Sequence, residues 1–244
     1  MPKEADVITL DLNRTKAAQD DPIHYASLKH ILEVFSVKYK DTTSYFQGLN
    51  FTASFLLKTL QDKETVFRIL CHLNETIFKK MINKQHPNYL PLIFHYFDRL
   101  VEINFPQLND HFCQERITGD QYASPFLITL FTSMYNGDSQ DNLTIFTFWD
   151  ILLTENLIGL LKILLGVLKV YHDKFMSMKF EEFLLFWNDL PSRPEFLLTK
   201  KFVQFMDANK VESGSQTPML AKRSIIPTKG SMAPIRGSMT PSPG

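Results

Sequence analysis

Two polar side chains 33 residues apart, Arg14 and Gln47, carry the chemistry that this sequence could perform. Arg14 lies near the end of Val7–Thr15, VITLDLNRT, in which Ile8, Asp11 and Arg14 follow one another at intervals of three. A guanidinium is a planar, permanently charged fork that reaches two oxygens at once, which an ammonium cannot do. Gln47 lies in Thr42–Leu60, TTSYFQGLNFTASFLLKTL. A carboxamide donates one hydrogen bond and accepts another without holding a charge. Beside it, Gly48 removes a side chain and leaves the backbone open to close approach. Read singly, neither residue stands out. A loop arginine near an aspartate is a surface ion pair of little energetic weight, and an amide on a polar helix face is an ordinary exposed glutamine.

The elements that must position the pair read as helices. Thr42–Leu60 opens on three candidate N-caps, Thr42, Thr43 and Ser44, whose hydroxyls accept from orphan amides of a first turn. Tyr45, Leu49, Ala53, Leu56 and Leu60 fall on one side of its wheel. Gln47 falls on the other, near Ser54 and Lys58, in the first turn and away from the core. Asp21-Pro22 opens another helix, with Asp as the cap and Pro at the first helical position. Its stripe of Leu28, Ile31, Leu32, Phe35 and Tyr39 buries a face and places the Arg14 loop, with its polar run TKAAQDD, beside the Gln47 helix.

Further helices are expected over Glu64–Leu73, Tyr89–Ile103, Phe105–Gln114 and Tyr122–Tyr135, with Pro87, Pro91 and Pro106 as breaks or starts. After the loop Asn136–Asn142, the text from Phe146 onward places Leu152, Leu153, Leu157, Leu160, Leu161, Leu164 and Leu168 on a broad core side of one or two helices. Phe180–Trp187 and about Glu195–Met206 follow, separated by Pro191 and Pro194. Strand alternation with turn dipeptides is nearly absent, so the class is all-α.

With 244 residues the chain fits one domain, or one domain with a tail. Its 26 basic and 26 acidic residues balance, so nothing in the charge argues for nucleic acid or an acidic membrane surface as partner, and no nucleic-acid partner is expected. Cys71 and Cys113 lie in apolar helical text and read as core thiols of a reducing compartment. The N-terminus does not read as a signal peptide. The apolar run Leu157–Val170, interrupted by Lys162, is too short to span a bilayer, so a soluble protein is expected. No phosphate-binding loop, nucleophile elbow or zinc-ligand spacing occurs, and His111-x-Cys113 reads as a structural pair. From about Ala208 the text is rich in Ser, Pro, Gly and Thr and repeats GSMAP as GSMTP. It reads as a disordered tail, with Thr217-Pro218, Thr240-Pro241 and Ser242-Pro243 as possible proline-directed phosphorylation sites.

The pairing of Ile8, Asp11 and Arg14 with Tyr45, Gln47 and Gly48 resembles the Ile-x-x-Asp-x-x-Arg and Tyr-x-Gln-Gly motifs of the TBC-domain Rab GTPase-activating proteins. LKTLQDKETVFRIL, PFLITLF and Trp149-Asp150 with Glu155 resemble later segments of that family, over roughly residues 5–190. The resemblance implies an all-helical, V-shaped TBC-like domain, placed over 1–206 with its N-terminal helices missing, and the composition leaves a disordered tail over 207–244. It implies an activator of a Rab-family small GTPase that is not itself an enzyme. Arg14 would be an arginine finger and Gln47 would orient the water, supported by Asp11, Tyr45 and Gly48. GTP and Mg²⁺ would be carried by the partner, with no cofactor or metal of the chain's own. The protein would be cytoplasmic, without a transmembrane segment, and recruited to endomembranes at their periphery. The alternative under the same resemblance is a TBC-like scaffold that binds a GTPase or another protein without accelerating hydrolysis. The chain departs from the family pattern at Lys16 and Ala17, where an aromatic-Pro pair is common. It departs again at Ser44 and Asn156, where glycine is usual, and at Pro125, where tryptophan is.

Overall fold

Capping and apolar spacing build the first layer. A computed structural model of the chain describes residues 4–15, 21–135, 143–190 and 200–208. Helix α1, Glu4–Asn13, buries Ile8, Asp11 and Leu12. Helix α2, Pro22–Lys38, starts as its sequence dictates: the Asp21 carboxylate accepts the amides of Ile23 and His24 at 2.9 and 3.0 Å. Leu28, Ile31, Leu32 and Phe35 form its buried stripe, and Tyr39 beyond it is half-buried. Helix α3, Leu49–Leu60, and helix α4, Lys63–Thr76, both pack on α2 and on each other, while α1 covers α2 and α3.

The α3 segment corrects the sequence reading. Thr42–Gly48 is not helical; the helix begins at Leu49 with Gly48 at the cap position. The expected polar face is not polar in effect either. Ser54 is buried against His24, with Oγ 3.1 Å from Nε2, while Leu60 is exposed. The reason is tertiary: α3 meets α1, α2, α4 and the short 3₁₀ turn Thr132–Met134 together, so it is enclosed almost all round, as a core helix must be.

The second half is an aromatic core. Helix α5, Tyr89–Asn104, packs on α6, Pro106–Glu115, and on α7, Gly119–Ile128. The expected helix Tyr122–Tyr135 thus ends at Ile128, where Leu130 and Phe131 turn left-handed. Helix α8, Leu143–Phe175, is followed by α9, Phe180–Asp189, and by α10, Lys200–Ala208, which packs on α8. Trp187 Nε1 donates to the Tyr122 carbonyl at 2.8 Å and Trp149 Nε1 to that of Leu130 at 3.1 Å, so both indoles are satisfied where they are buried. No strand occurs among the described residues.

Of the seven leucines read as core in α8, Leu152, Leu160, Leu164 and Leu168 are buried and Leu153 is exposed. The helix is broken at Asn156, with φ 53° and ψ −135°. Across the break, a side chain on Gly159 would lie 2.8 Å from the Ile151 carbonyl oxygen, so only glycine permits the approach. Lys162, 1% exposed, pairs with Glu155 over the same break, which answers the otherwise prohibitive burial of an ammonium. By length and composition α8 is the one helix among the described residues that could cross a membrane, longer than the run read from sequence. Its break, its buried ion pair and the 56% of its most apolar stretch that is buried match the core helix of a globular protein.

Both cysteines are free, but Cys113 is exposed and Cys71 half-buried rather than core. Each lies one residue beyond a buried position, Phe112 and Leu70, and one helical step turns it off the buried face. The expected tail lies outside the described residues, apart from Asp207 and Ala208, which close α10.

The two positions where the resemblance calls for glycine, Ser44 and Asn156, both adopt left-handed φ. Ser44 is fully buried, and its hydroxyl donates to Glu4, which also accepts from Ser36 and lies 3.2 Å from Lys84 Nζ. A left-handed L-residue costs roughly 1–2 kcal/mol, and a hydrogen bond to a charged group returns about as much. Among the described residues no comparable bond ties Asn156, which is exposed. Asn156→Gly is therefore expected to stabilise the protein by about 1 kcal/mol, read as a higher urea midpoint. Burial pushes the Glu4 carboxyl up, but the donors Ser36, Ser44 and Lys84 outweigh it and hold the group below its ordinary value. Its contribution is present above the unfolded value and is lost as pH falls through the lower folded one. Glu4→Gln should flatten the acid limb of a stability–pH curve and leave the curve's shape above pH 6 unchanged.

Candidate functional site

Arg14 and Gln47 are both exposed, and both project from turns rather than helices. Arg14 follows α1, its amide donating to the Asp11 carbonyl at 3.1 Å. Gln47 precedes α3, outside the helical first turn in which the sequence reading put it. Beneath them the two segments are joined by buried polar groups. Tyr45 donates its hydroxyl proton to Asp11 Oδ2 at 2.7 Å. The Gly48 amide donates to Asn50 Oδ1 at 3.1 Å, and Asn50 Nδ2 donates to Thr15 Oγ1 at 2.8 Å. Thr15 in turn donates to the Asp11 carbonyl at 2.9 Å. These bonds and the intervening backbone close a ring. Arg14 stands between Asp11 and Thr15 on one arm of it, and Gln47 between Tyr45 and Gly48 on the other.

The supporting residues act differently from a surface ion pair. The Asp11 carboxylate is buried and faces Tyr45, not Arg14; it holds the arginine turn through its backbone and through the phenol. Burial and then the adjacent carboxylate push the Tyr45 phenol well above its usual range, so it remains a donor. Gly48 has φ 108°, and a side chain there would come within 2.9 Å of Ile128 Cγ2 and 3.3 Å of Thr129 Cγ2. The close approach that its small size permits is thus made by the end of α7. Glycine is needed twice over, for its dihedral and for this contact.

Asn50 and Thr15, 2% and 3% exposed, were not singled out in the sequence. The available signal was an amide two residues after Gly48, beside the apolar stripe of the helix, and a hydroxyl directly after Arg14. Other chemistry is sparse. Among the described residues no group of His, Cys, Asp and Glu could hold a metal. His111 Nε2 lies 2.8 Å from the Met178 carbonyl oxygen, a structural contact. The His24–Ser54 pair is buried, and the Asp21 carboxylate meets the His24 backbone amide, so nothing there orients the ring as a base.

Tyr45→Phe removes the only hydroxyl in the ring aimed at the buried carboxylate. It is expected to lower the free energy of unfolding by roughly 1–3 kcal/mol, measured by urea denaturation at pH 7.

Comparison with known proteins bears on the family and the fold. The model of the Rab-GTPase-TBC domain matches residues 1–176. TBC1 domain family member 12 of Xenopus tropicalis is 25% identical over 190 residues, covering 76% of this chain and 27% of that protein. GTPase-activating protein GYP5 of Eremothecium gossypii is 26% identical over 182 residues, covering 75% of this chain and 21% of that one. The chain therefore spans between a fifth and a third of the length of such relatives. In fold it is similar to the TBC domain of a Chlamydomonas flagellar RabGAP (TM-score 0.66, 20% identity, 84% of this chain and 66% of that one). It is likewise similar to the Ypt/Rab-GAP domain of Gyp1p (TM-score 0.62, 21% identity, 83% and 73%). With an all-helical fold and a family model matching residues 1–176, this chain belongs to the Rab-GTPase-TBC domain family.

Proposed function

We propose that the chain activates GTP hydrolysis by a Rab-family small GTPase, with Arg14 as an arginine finger and Gln47 as the water-orienting group. One observation carries the reading: the two exposed side chains leave adjacent turns that a buried ring of hydrogen bonds fastens to each other. GTP hydrolysis runs through a loose transition state with charge spread over the γ-phosphoryl oxygens. A guanidinium supplied in trans stabilises that charge and is worth about 10³–10⁵ in rate, or roughly 4–7 kcal/mol of barrier. The carboxamide of Gln47 holds the attacking water by donating to it and accepting from it. GTP and Mg²⁺ belong to the partner, so the chain contributes positioning and charge and needs no cofactor or metal of its own. It works in the cytoplasm and reaches endomembranes through that partner. It is an activator of another protein's reaction rather than an enzyme with a substrate site of its own.

Single-turnover GTP hydrolysis across a panel of Rabs tests the reading. Arg14→Ala should remove more than about a hundredfold of the acceleration, with far-UV circular dichroism unchanged. Gln47→Ala should also abolish most of it. Arg14→Lys should not restore the wild-type rate, because an ammonium reaches one oxygen where the fork reaches two. Equal rates for wild type and Arg14→Ala would instead identify a scaffold that binds without accelerating.

A further inference from the structure

The turns of Arg14 and Gln47 are braced through one carboxamide whose orientation the ring fixes. Asn50 must present its oxygen to the Gly48 amide and its nitrogen to Thr15, because the Thr15 proton is directed to the Asp11 carbonyl. A flipped amide would set NH₂ against N–H on one side and leave a carbonyl facing a hydroxyl without a proton to give. Tyr45 Oη is 3.5 Å from Asn50 Oδ1, but its one proton goes to Asp11 at 2.7 Å, so it does not compete for that oxygen. A buried amide is costly unless its groups are paired, and an apolar residue would pack this helix position without that requirement. Asn50 joins the turn ahead of its own helix to a residue 35 positions back in the chain.

We infer that Asn50 is a positioning residue that couples the two turns, so that the placement of Gln47 depends on the Arg14 segment through Thr15, Asn50 and Gly48. The catalytic consequence rests on the activator reading; the coupling itself does not. Thr15→Val removes the hydroxyl, keeps the volume, and lies on the opposite turn from the group to be read. Amide hydrogen exchange at Gly48 should accelerate about tenfold in this variant, the weight of one buried hydrogen bond, while amides of Ile163–Val167 in α8 exchange as in wild type. Thr15→Ser should restore the wild-type exchange. If Thr15→Val fails to fold, Thr15→Ala gives the same reading without a branched methyl.

Unchanged Gly48 exchange in the folded variant overturns the coupling, and so does a loss of protection that extends equally to α8. With an active wild type, Thr15→Val should slow single-turnover hydrolysis without raising the half-saturating activator concentration. A change confined to the half-saturating concentration overturns the positioning role. A wild type that accelerates no Rab sinks the activator reading, while exchange at Gly48 still decides the coupling.

Discussion

Tyr45 gives its phenolic proton to the Asp11 carboxylate over 2.7 Å, and both groups are shut away from water. Neither could be buried without the other. An isolated carboxylate under α3 would be held against a large desolvation penalty, and a buried phenol without an acceptor would forfeit a hydrogen bond it makes in water. Pairing removes both penalties and fixes, as a by-product, how the end of α1 meets the approach to α3. The exposed positions inherit their placement from this buried contact. The side chains of Arg14 and Gln47 make none of the ring's bonds, yet each residue is flanked by its members.

The same logic governs the rest of this region. Gly48 cannot carry a side chain because the end of α7 fills the space, so the Gln47 turn is pinned from below by Asn50 and from the side by Ile128 and Thr129. The turn that precedes Tyr45 is pinned from the other direction. The Lys84 amide donates to the Thr42 carbonyl at 2.9 Å, Lys84 Nζ to that of Lys40 at 3.1 Å, and Gln85 Nε2 to that of Asp41 at 3.3 Å. Glu4 then gathers Ser36, Ser44 and Lys84 around one carboxylate. A loop held in this way loses little further freedom when its exposed residues meet a partner, which is the advantage of preorganisation.

Backbone dihedrals explain two departures from the family pattern. At Ser44 and Asn156 the resemblance places glycine, and the chain keeps the left-handed dihedral that glycine would adopt without strain. Ser44 offsets the strain with a hydroxyl bond to the Glu4 carboxylate. Asn156 sits where the apolar helix breaks between Leu152 and Gly159, with the Glu155–Lys162 pair bridging the break. At both positions the backbone takes a dihedral that glycine adopts without strain, although the residue is not glycine.

Much was legible in the sequence wherever a local rule decided the outcome. The Asp21-Pro22 cap and the stripe from Leu28 to Phe35 fixed α2, because capping and apolar periodicity act within a few residues. The all-helical class, the chain positions of most helices and the exposure of Arg14 and Gln47 were readable for the same reason. The start of α3 was not: Thr42–Ser44 look like caps, but bonds from Lys84 and Gln85 and contacts from Ile128, distant in sequence, hold that segment as a turn. The buried Ser54, the half-buried Cys71 and the exposed Leu60 and Cys113 depart from the wheel because a wheel shows which residues share a face, not how many neighbours will cover it. The closure of the ring was decided by tertiary structure alone. The two bonds that cross between its arms join residues 34 and 35 positions apart, and no spacing rule states that a carboxylate will meet a phenol, or a threonine an asparagine, once α1 and α3 have packed.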